Sequence, residues 1–122
     1  MSNTKISLYD LYEIKKKKDN KVNEAFNIIL NGCNKKIKII AELGGQSLYY
    51  NIPPIIIGYP LYNYKNCITY IIKSLQKNGL YVSILPNNNT IYISWKIEDV
   101  SIQSSKKIYY YINYYYYYHL FF

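Results

Sequence analysis

The sequence predicts a single α+β domain in which helices precede a small antiparallel sheet. Three observations predict this class. Apolar residues recur every three or four positions over residues 8–43 and again over 63–78, and two short runs rich in β-branched and aromatic residues follow. A chain of 122 residues can bury one hydrophobic core but not two.

The first predicted helix begins after Ser7, which forms a capping-box pair with Asp10. A helix over 8–43 would be about 54 Å long at 1.5 Å per residue, which exceeds what a domain of this size can bury. We therefore expect either a break near Asp19-Asn20 or a first segment that projects from the body. The apolar stripe of this helix comprises Leu8, Leu11, Tyr12, Val22, Phe26, Ile29, Leu30, Cys33, Ile37, Ile40 and Ala41.

Glycine and proline residues end the predicted elements in the middle of the chain. Gly44-Gly45 ends the first helix, and residues 48–52 read as a short strand that Pro53-Pro54 closes. Because proline cannot donate to a strand ladder, we place this strand at a sheet edge. Residues 55–62 are apolar but too rich in Gly and Pro for more than one helical turn.

A second helix and a β-hairpin complete the predicted domain. Asn63 is a good N-cap, Gly79 can close the helix, and residues 80–85 and 90–95 form two strands around a loop of turn formers. The order helix, strand, abbreviated helix, helix, strand, strand is that of a winged-helix-like domain. We expect its core to join Ile68, Ile71, Ile72 and Leu75 with Val82, Ile84, Ile91 or Ile93 and with Phe26, Ile29, Leu30 and Cys33.

The composition divides the chain into three parts. Residues 1–21 form a basic N-terminal helical extension, 22–100 the winged-helix-like domain, and 101–122 a linker with a low-complexity tyrosine-rich tail. The tail is either a by-product of AT-rich coding sequence or an interaction or membrane-surface segment.

The net charge of +8 favours an anionic partner such as nucleic acid or an anionic surface, although solubility alone would also explain it. All fifteen basic residues are Lys, so the bidentate contacts that Arg makes to phosphates and guanine edges are missing. An AT-rich genome would produce part of this bias. We expect an anion to be held by charge density.

The sequence predicts no enzyme and no catalytic residue, metal site or cofactor. Cys33 and Cys67 fall on apolar helix faces, where free buried thiols are expected. His119 is the sole histidine and lies in the tail. The seven carboxylates are scattered along the sequence, and we expect no metal or acid-base role at Glu98-Asp99.

No signal peptide opens the chain, and no apolar run reaches the roughly 20 residues of a membrane-spanning helix. We therefore expect a protein that is not secreted and that works in a reducing compartment.

Several short segments of the sequence carry a resemblance to known proteins: 10–14, Cys33, 58–62, 78–80 and 91–95. They resemble a family of small basic proteins without assigned function from large nucleocytoplasmic DNA viruses, the giant viruses. The resemblance covers roughly residues 8–95 and stops before the tail. It implies a viral protein that is found in the cytoplasm or nucleus of an infected host cell or in the virion, and it transfers no catalytic residue.

Two functions from different classes follow. The first is nucleic-acid binding, DNA more than RNA, through the solvent face of the second helix, with phosphate contacts from the basic run. The predicted residues are Lys65, Thr69, Lys73, Gln76 and Lys77, together with Lys15, Lys16, Lys17 and Lys18. The second is a virion structural or assembly adaptor, whose partner is another virion protein. Its interface area would come from Tyr49, Tyr50, Tyr59, Tyr62 and Tyr64.

Overall fold

The computed structural model describes residues 5–87 and 89–101. Its elements are α1 (Leu8–Glu42), β1 (Ser47–Asn51), α2 (Tyr64–Lys77), β2 (Tyr81–Ile84), β3 (Thr90–Ser94) and a single turn, α3 (Ile97–Val100). This confirms the α+β class, the long N-terminal helix and the three-stranded antiparallel sheet. The tyrosine-rich tail and His119 lie outside the described residues, so the predictions about them stay predictions.

Helix α1 is continuous over 35 residues, or about 52 Å. The break expected near Asp19-Asn20 is wrong. The capping box is present, since Ser7 Oγ accepts from the Asp10 amide at 3.1 Å and Asp10 Oδ2 accepts from the Ser7 amide at 3.4 Å. Lysine is a good helix former, which allows the helix to run through the polar stretch 15–21.

The first half of α1 projects from the body, which was the other expectation. Its apolar residues are exposed: Leu8 is 64% exposed, Leu11 48% and Tyr12 62%. Ala25 is the first buried residue of the helix. The apolar stripe of α1 is therefore longer than the part of the helix that contacts the core.

The sheet has the strand order β1-β3-β2, and both pairings are antiparallel. Strand β1 lies at an edge, as expected from Pro53-Pro54, and β2 forms the other edge. Leu48 and Val82 both pair with Ile93, so these three side chains share the face that packs on the helices.

The core lies between the sheet, α2 and the second half of α1. It contains most of the predicted residues, with Leu30 and Ile72 partly buried at its margin. Ile84 was wrongly included, because it is the last residue of an edge strand and is 47% exposed. The buried cluster comprises Phe26, Ile29, Cys33, Ile52, Cys67, Ile68, Ile71, Leu75, Val82, Ile91 and Ile93.

The segment between β1 and α2 contains one hydrogen-bonded turn, from the Tyr59 amide to the Ile56 carbonyl at 3.1 Å, and no helix. Two tyrosine hydroxyls fasten the segment. Tyr62 donates to the Pro53 carbonyl at 2.6 Å and Tyr64 to the Ile52 carbonyl at 2.5 Å.

Candidate nucleic-acid interface

Helix α2 is held in one orientation by its apolar face and by both of its ends. At its start, the Asn63 side chain accepts from the Asn66 amide at 3.0 Å. At its end, the Gly79 amide bonds to the Gln76 carbonyl and the Leu80 amide to the Leu75 carbonyl, a Schellman closure in which Gly79 takes φ 92°. Since the buried residues all lie on one side, the opposite side of α2 faces solvent. Those buried residues are Cys67, Ile68, Ile71 and Leu75.

The exposed side of α2 carries every residue that the sequence predicted for this helix. All five are exposed, and their spacing of three or four places them along one face. We call this face the α2 strip: Lys65, Thr69, Lys73, Gln76 and Lys77. The structure confirms the orientation from which the strip was predicted, and its role in binding stays a prediction.

All the charged residues of the α2 strip are positive. Helix α2 contains three lysines and no acidic residue, and the whole stretch 43–97 lacks Asp and Glu. In the described part of the chain, the ion pairs lie on α1: Lys15 with Asp19 at 3.5 Å and Lys21 with Glu24 at 3.4 Å. The lysines of α2 therefore have no acidic partner among the described residues and are available to an external anion.

The lysine run Lys15–Lys18 lies on the projecting half of α1 and is also exposed. Helix α2 meets α1 at Phe26 and Asn27, through Tyr70. Residue 18 is eight positions from Phe26, so the run lies about 12 Å or more along the helix axis from this contact. The structure thus offers two separate positive groups, and Asp19 partly offsets the charge of Lys15.

Tyr70 is a residue of this surface that the sequence reasoning missed. Its hydroxyl donates to Asn27 Oδ1 at 2.5 Å, and its ring lies 5.6 Å from that of Phe26. The contact fixes the border between the α2 strip and α1. Tyr70 and Asn27 are 43 positions apart, and no local pattern in the sequence indicates the pair.

The thiols of Cys33 and Cys67 are free and buried, as predicted. Burial raises the pKa of Cys33 to about 12, with a smaller opposing effect from the Lys36 charge, and burial raises the pKa of Cys67 to about 11. Both thiols are therefore protonated near neutral pH and act as apolar core groups.

We expected no metal or acid-base role at Glu98-Asp99. In the structure, the side chain of Asp99 has a structural role. Its Oδ2 accepts from Ser94 Oγ at 2.6 Å and from the Tyr92 hydroxyl at 2.9 Å. These two hydrogen bonds, that of Ser94 first, lower the pKa of the Asp99 carboxyl. Within residues 5–87 and 89–101, no group of three or more His, Cys, Asp or Glu side chains could hold a metal ion.

Comparison with known proteins places the chain in a family. Residues 6–76 match a family of unknown function, DUF5759, and this match spans more than half of the chain. The chain belongs to this family. The DUF5759 match includes α1, β1, the following loop and α2 as far as Gln76, and hence four residues of the α2 strip.

A similar protein from a virus supports the viral character of this family. An uncharacterised protein of Acanthamoeba polyphaga mimivirus is 32% identical over 93 residues, which are 71% of this chain and 73% of the mimivirus protein. The expectation of a viral family without assigned function is thereby confirmed. No solved structure matches the DUF5759 chain. No helix in the described part of the chain is long and apolar enough to cross a membrane.

Proposed function

We propose that this DUF5759 protein is a non-enzymatic nucleic-acid-binding protein whose α2 contacts the nucleic acid. The observation that carries the proposal is the α2 strip itself. Its three lysines are exposed on a helix that has no acidic residue, and none of them is engaged in an ion pair with the described residues. A polyanion is the partner that best matches such a face.

We further propose that the domain is winged-helix-like, which would support this use of α2. The sheet order β1-β3-β2 places the hairpin of β2 and β3 directly after α2 and brings β1 alongside β3. The helix that precedes the hairpin is then the one that presents side chains to a groove. The domain differs from a full winged helix because the loop between β1 and α2 replaces a helix.

The chemistry of the α2 strip favours phosphate contacts over base contacts. Lysine is a point charge without the planar fork of Arg, so Lys65, Lys73 and Lys77 neutralise phosphates without fixed geometry. Thr69 and Gln76 are the two strip residues that can hydrogen-bond to base edges. We expect an affinity that depends strongly on salt concentration. We expect only a modest preference for particular sequences.

Duplex DNA fits this surface better than duplex RNA. The major groove of B-DNA is about 12 Å wide and admits an α-helix, whereas the major groove of A-form RNA is deep and narrow. Lys15–Lys18 would add phosphate contacts from the projecting half of α1. The corresponding place of action is the cytoplasm or nucleus of an infected cell, or the virion.

A salt-dependent titration tests the proposal. The full chain is titrated against duplex DNA, single-stranded DNA and duplex RNA at several salt concentrations. We expect log affinity to fall linearly with log salt and to be highest on duplex DNA. The absence of binding to every polyanion near physiological salt would refute nucleic-acid binding, and equal slopes and affinities on all three would refute groove recognition by α2.

A virion structural or assembly adaptor is the second candidate, favoured by the exposed apolar residues Leu8, Leu11 and Tyr12 on the projecting half of α1. The tyrosines first assigned to this function support it less. Of those five, Tyr49 is 65% exposed, while the others are half-buried. The hydroxyls of Tyr50, Tyr62 and Tyr64 bond to backbone carbonyls inside the domain. Crosslinking in infected cells would identify a protein partner.

A further inference from the structure

The loop that replaces a helix between β1 and α2 presents aliphatic side chains to solvent. Ile55 is 55% exposed, Leu61 76% and Ile57 95%, the highest value among the exposed large apolar residues of the described chain. Gly58, at φ 91°, forms the turn beside Ile57. We call residues 53–62 the apolar loop.

The base of the apolar loop is well anchored. The bond from the Tyr62 hydroxyl to the Pro53 carbonyl joins the two ends of the loop. The Tyr62 ring packs edge-on against Phe26 at 5.3 Å, and Ile56 packs against the core. The loop therefore holds its aliphatic side chains outward although Ile56, in the same segment, turns inward.

The part of the chain that contains the apolar loop carries charge of one sign. The stretch 43–97, which contains the loop, has four lysines and no acidic residue. Lys65 follows Leu61 by four residues and is exposed in the first turn of α2. By contrast, the exposed apolar residues at the start of α1 are interspersed with Asp10 and Glu13. An aliphatic loop followed by Lys65, which forms no ion pair with the described residues, matches a surface whose outer layer is anionic and whose interior is apolar.

We propose that the apolar loop is a peripheral membrane-binding site for bilayers that contain anionic phospholipid. Ile55, Ile57 and Leu61 enter the boundary between headgroups and acyl chains, and Lys65 contacts the lipid phosphates. Burial of aliphatic side chains to about 5–10 Å and attraction of lysine to anionic lipid are the two forces that hold proteins at this depth. The half-buried Tyr59 belongs to the same loop, and aromatic rings are favoured near the headgroups.

This site goes beyond nucleic-acid binding, and a matched pair of leucines separates the two. Leu61→Ser removes an aliphatic group that is 76% exposed in the apolar loop, and Leu43→Ser removes one that is 79% exposed at the end of α1, next to Glu42. Neither change empties the core. Flotation of the full chain with vesicles of phosphatidylcholine, with and without phosphatidylserine, measures membrane binding, and titration with duplex DNA measures nucleic-acid binding.

We expect the full chain to float with the phosphatidylserine vesicles and much less with phosphatidylcholine alone. Leu61→Ser should weaken the partition coefficient by about tenfold, as the loss of one buried aliphatic side chain predicts, while Leu43→Ser leaves it unchanged. Lys65→Gln should weaken it about fivefold on anionic vesicles alone.

Three results would overturn the membrane site. The first is that the full chain does not bind anionic vesicles even at low salt. The second is that Leu61→Ser and Leu43→Ser bind these vesicles equally well. The third is that phosphatidylcholine alone is bound as tightly as the anionic mixture. The DNA affinity of Leu61→Ser should match that of the unchanged chain, so failure of the membrane site and failure of nucleic-acid binding are separately visible.

Discussion

The hydroxyl of Tyr64 donates a hydrogen bond of 2.5 Å to the carbonyl oxygen of Ile52 and so joins the first turn of α2 to the residue after β1. Ile52 is 2% exposed, so water has little access to its carbonyl. The neighbouring bond from Tyr62 to Pro53 acts in the same way. Together these bonds connect the start of α2 and the residue before its N-cap to the chain that leaves β1.

Tyr64→Phe should therefore destabilise the domain by about 1–3 kcal/mol, because the Ile52 carbonyl loses its partner while it stays buried. Chemical denaturation with a far-UV probe measures the change. Tyr49→Phe is the matched control, since Tyr49 is 65% exposed and its contact in the described structure is the ring of Tyr92 at 5.3 Å. Equal effects of the two changes would contradict the anchoring role of Tyr64.

Leu75→Ala should cost about 2–5 kcal/mol, the range for emptying a buried leucine site. Leu75 is 1% exposed and contributes to the cluster between α2 and the sheet. The free energy of unfolding gives the measurement, and Leu61→Ala, at an exposed position, gives the control. A loss under roughly 0.5 kcal/mol would place Leu75 at the surface and reverse the face on which the α2 strip lies.

Local signals in the sequence were enough for most of the fold. The capping box of Ser7 and Asp10, the N-cap Asn63 and the closure at Gly79 each depend on residues a few positions apart. The orientation of the α2 strip followed from the spacing of its apolar residues alone.

Contacts between distant parts of the chain could not be read in this way. The bonds of Tyr62 and Tyr64 to the backbone, and of Tyr70 to Asn27, form only once the elements have packed. The continuity of α1 was also missed, because a polar run is compatible both with a loop and with a solvated helix. The exposure of Ile57 and Leu61 was also missed, because residues 55–62 are apolar throughout and have no period that separates them from Ile56, which packs against the core.

The projecting half of α1 should contribute little to the stability of one chain. Leu11→Ala should change the free energy of unfolding by less than about 0.5 kcal/mol, because Leu11 is 48% exposed and precedes the first buried residue of the helix. Phe26→Ala, in the buried half, should cost about 3–5 kcal/mol. A large effect of Leu11→Ala that grows with protein concentration would show that another chain covers this segment.

The two buried thiols should make the domain less stable at alkaline pH. Cys33 and Cys67 have pKa values of about 12 and about 11 in the folded chain, against an ordinary value of 9.0, so they ionise first in the unfolded chain. Their contribution is fully present below about pH 9 and is lost as the pH rises through the folded pKa values. Each thiol then costs about 1.4 kcal/mol per pH unit in that window.

Urea denaturation at about pH 8 and about pH 10 measures this loss. Cys67→Ala should reduce the difference between the two free energies, whatever its effect at the lower pH. An unchanged difference would mean that the Cys67 thiol is no harder to ionise in the folded chain than in the unfolded one.

The charge of the α2 strip gives the sharpest test of nucleic-acid binding. Each phosphate neutralised on duplex DNA contributes about 0.9 to the slope of log affinity against log salt. Changing Lys65, Lys73 and Lys77 together to Gln should flatten that slope by roughly two to three units. The fold should be unaffected, because all three side chains are exposed and form no ion pair with the described residues.

The matched control changes Lys15, Lys16 and Lys17 to Gln, which removes the same charge from the projecting half of α1. If only the control flattens the slope, the nucleic acid is held by a non-specific basic arm and α2 serves another purpose. If both triples flatten it, the lysines of α2 and those on the projecting half of α1 bind phosphates together. If neither triple alters the slope, the α2 strip and the lysine run both lie outside the contact, and the adaptor function takes precedence.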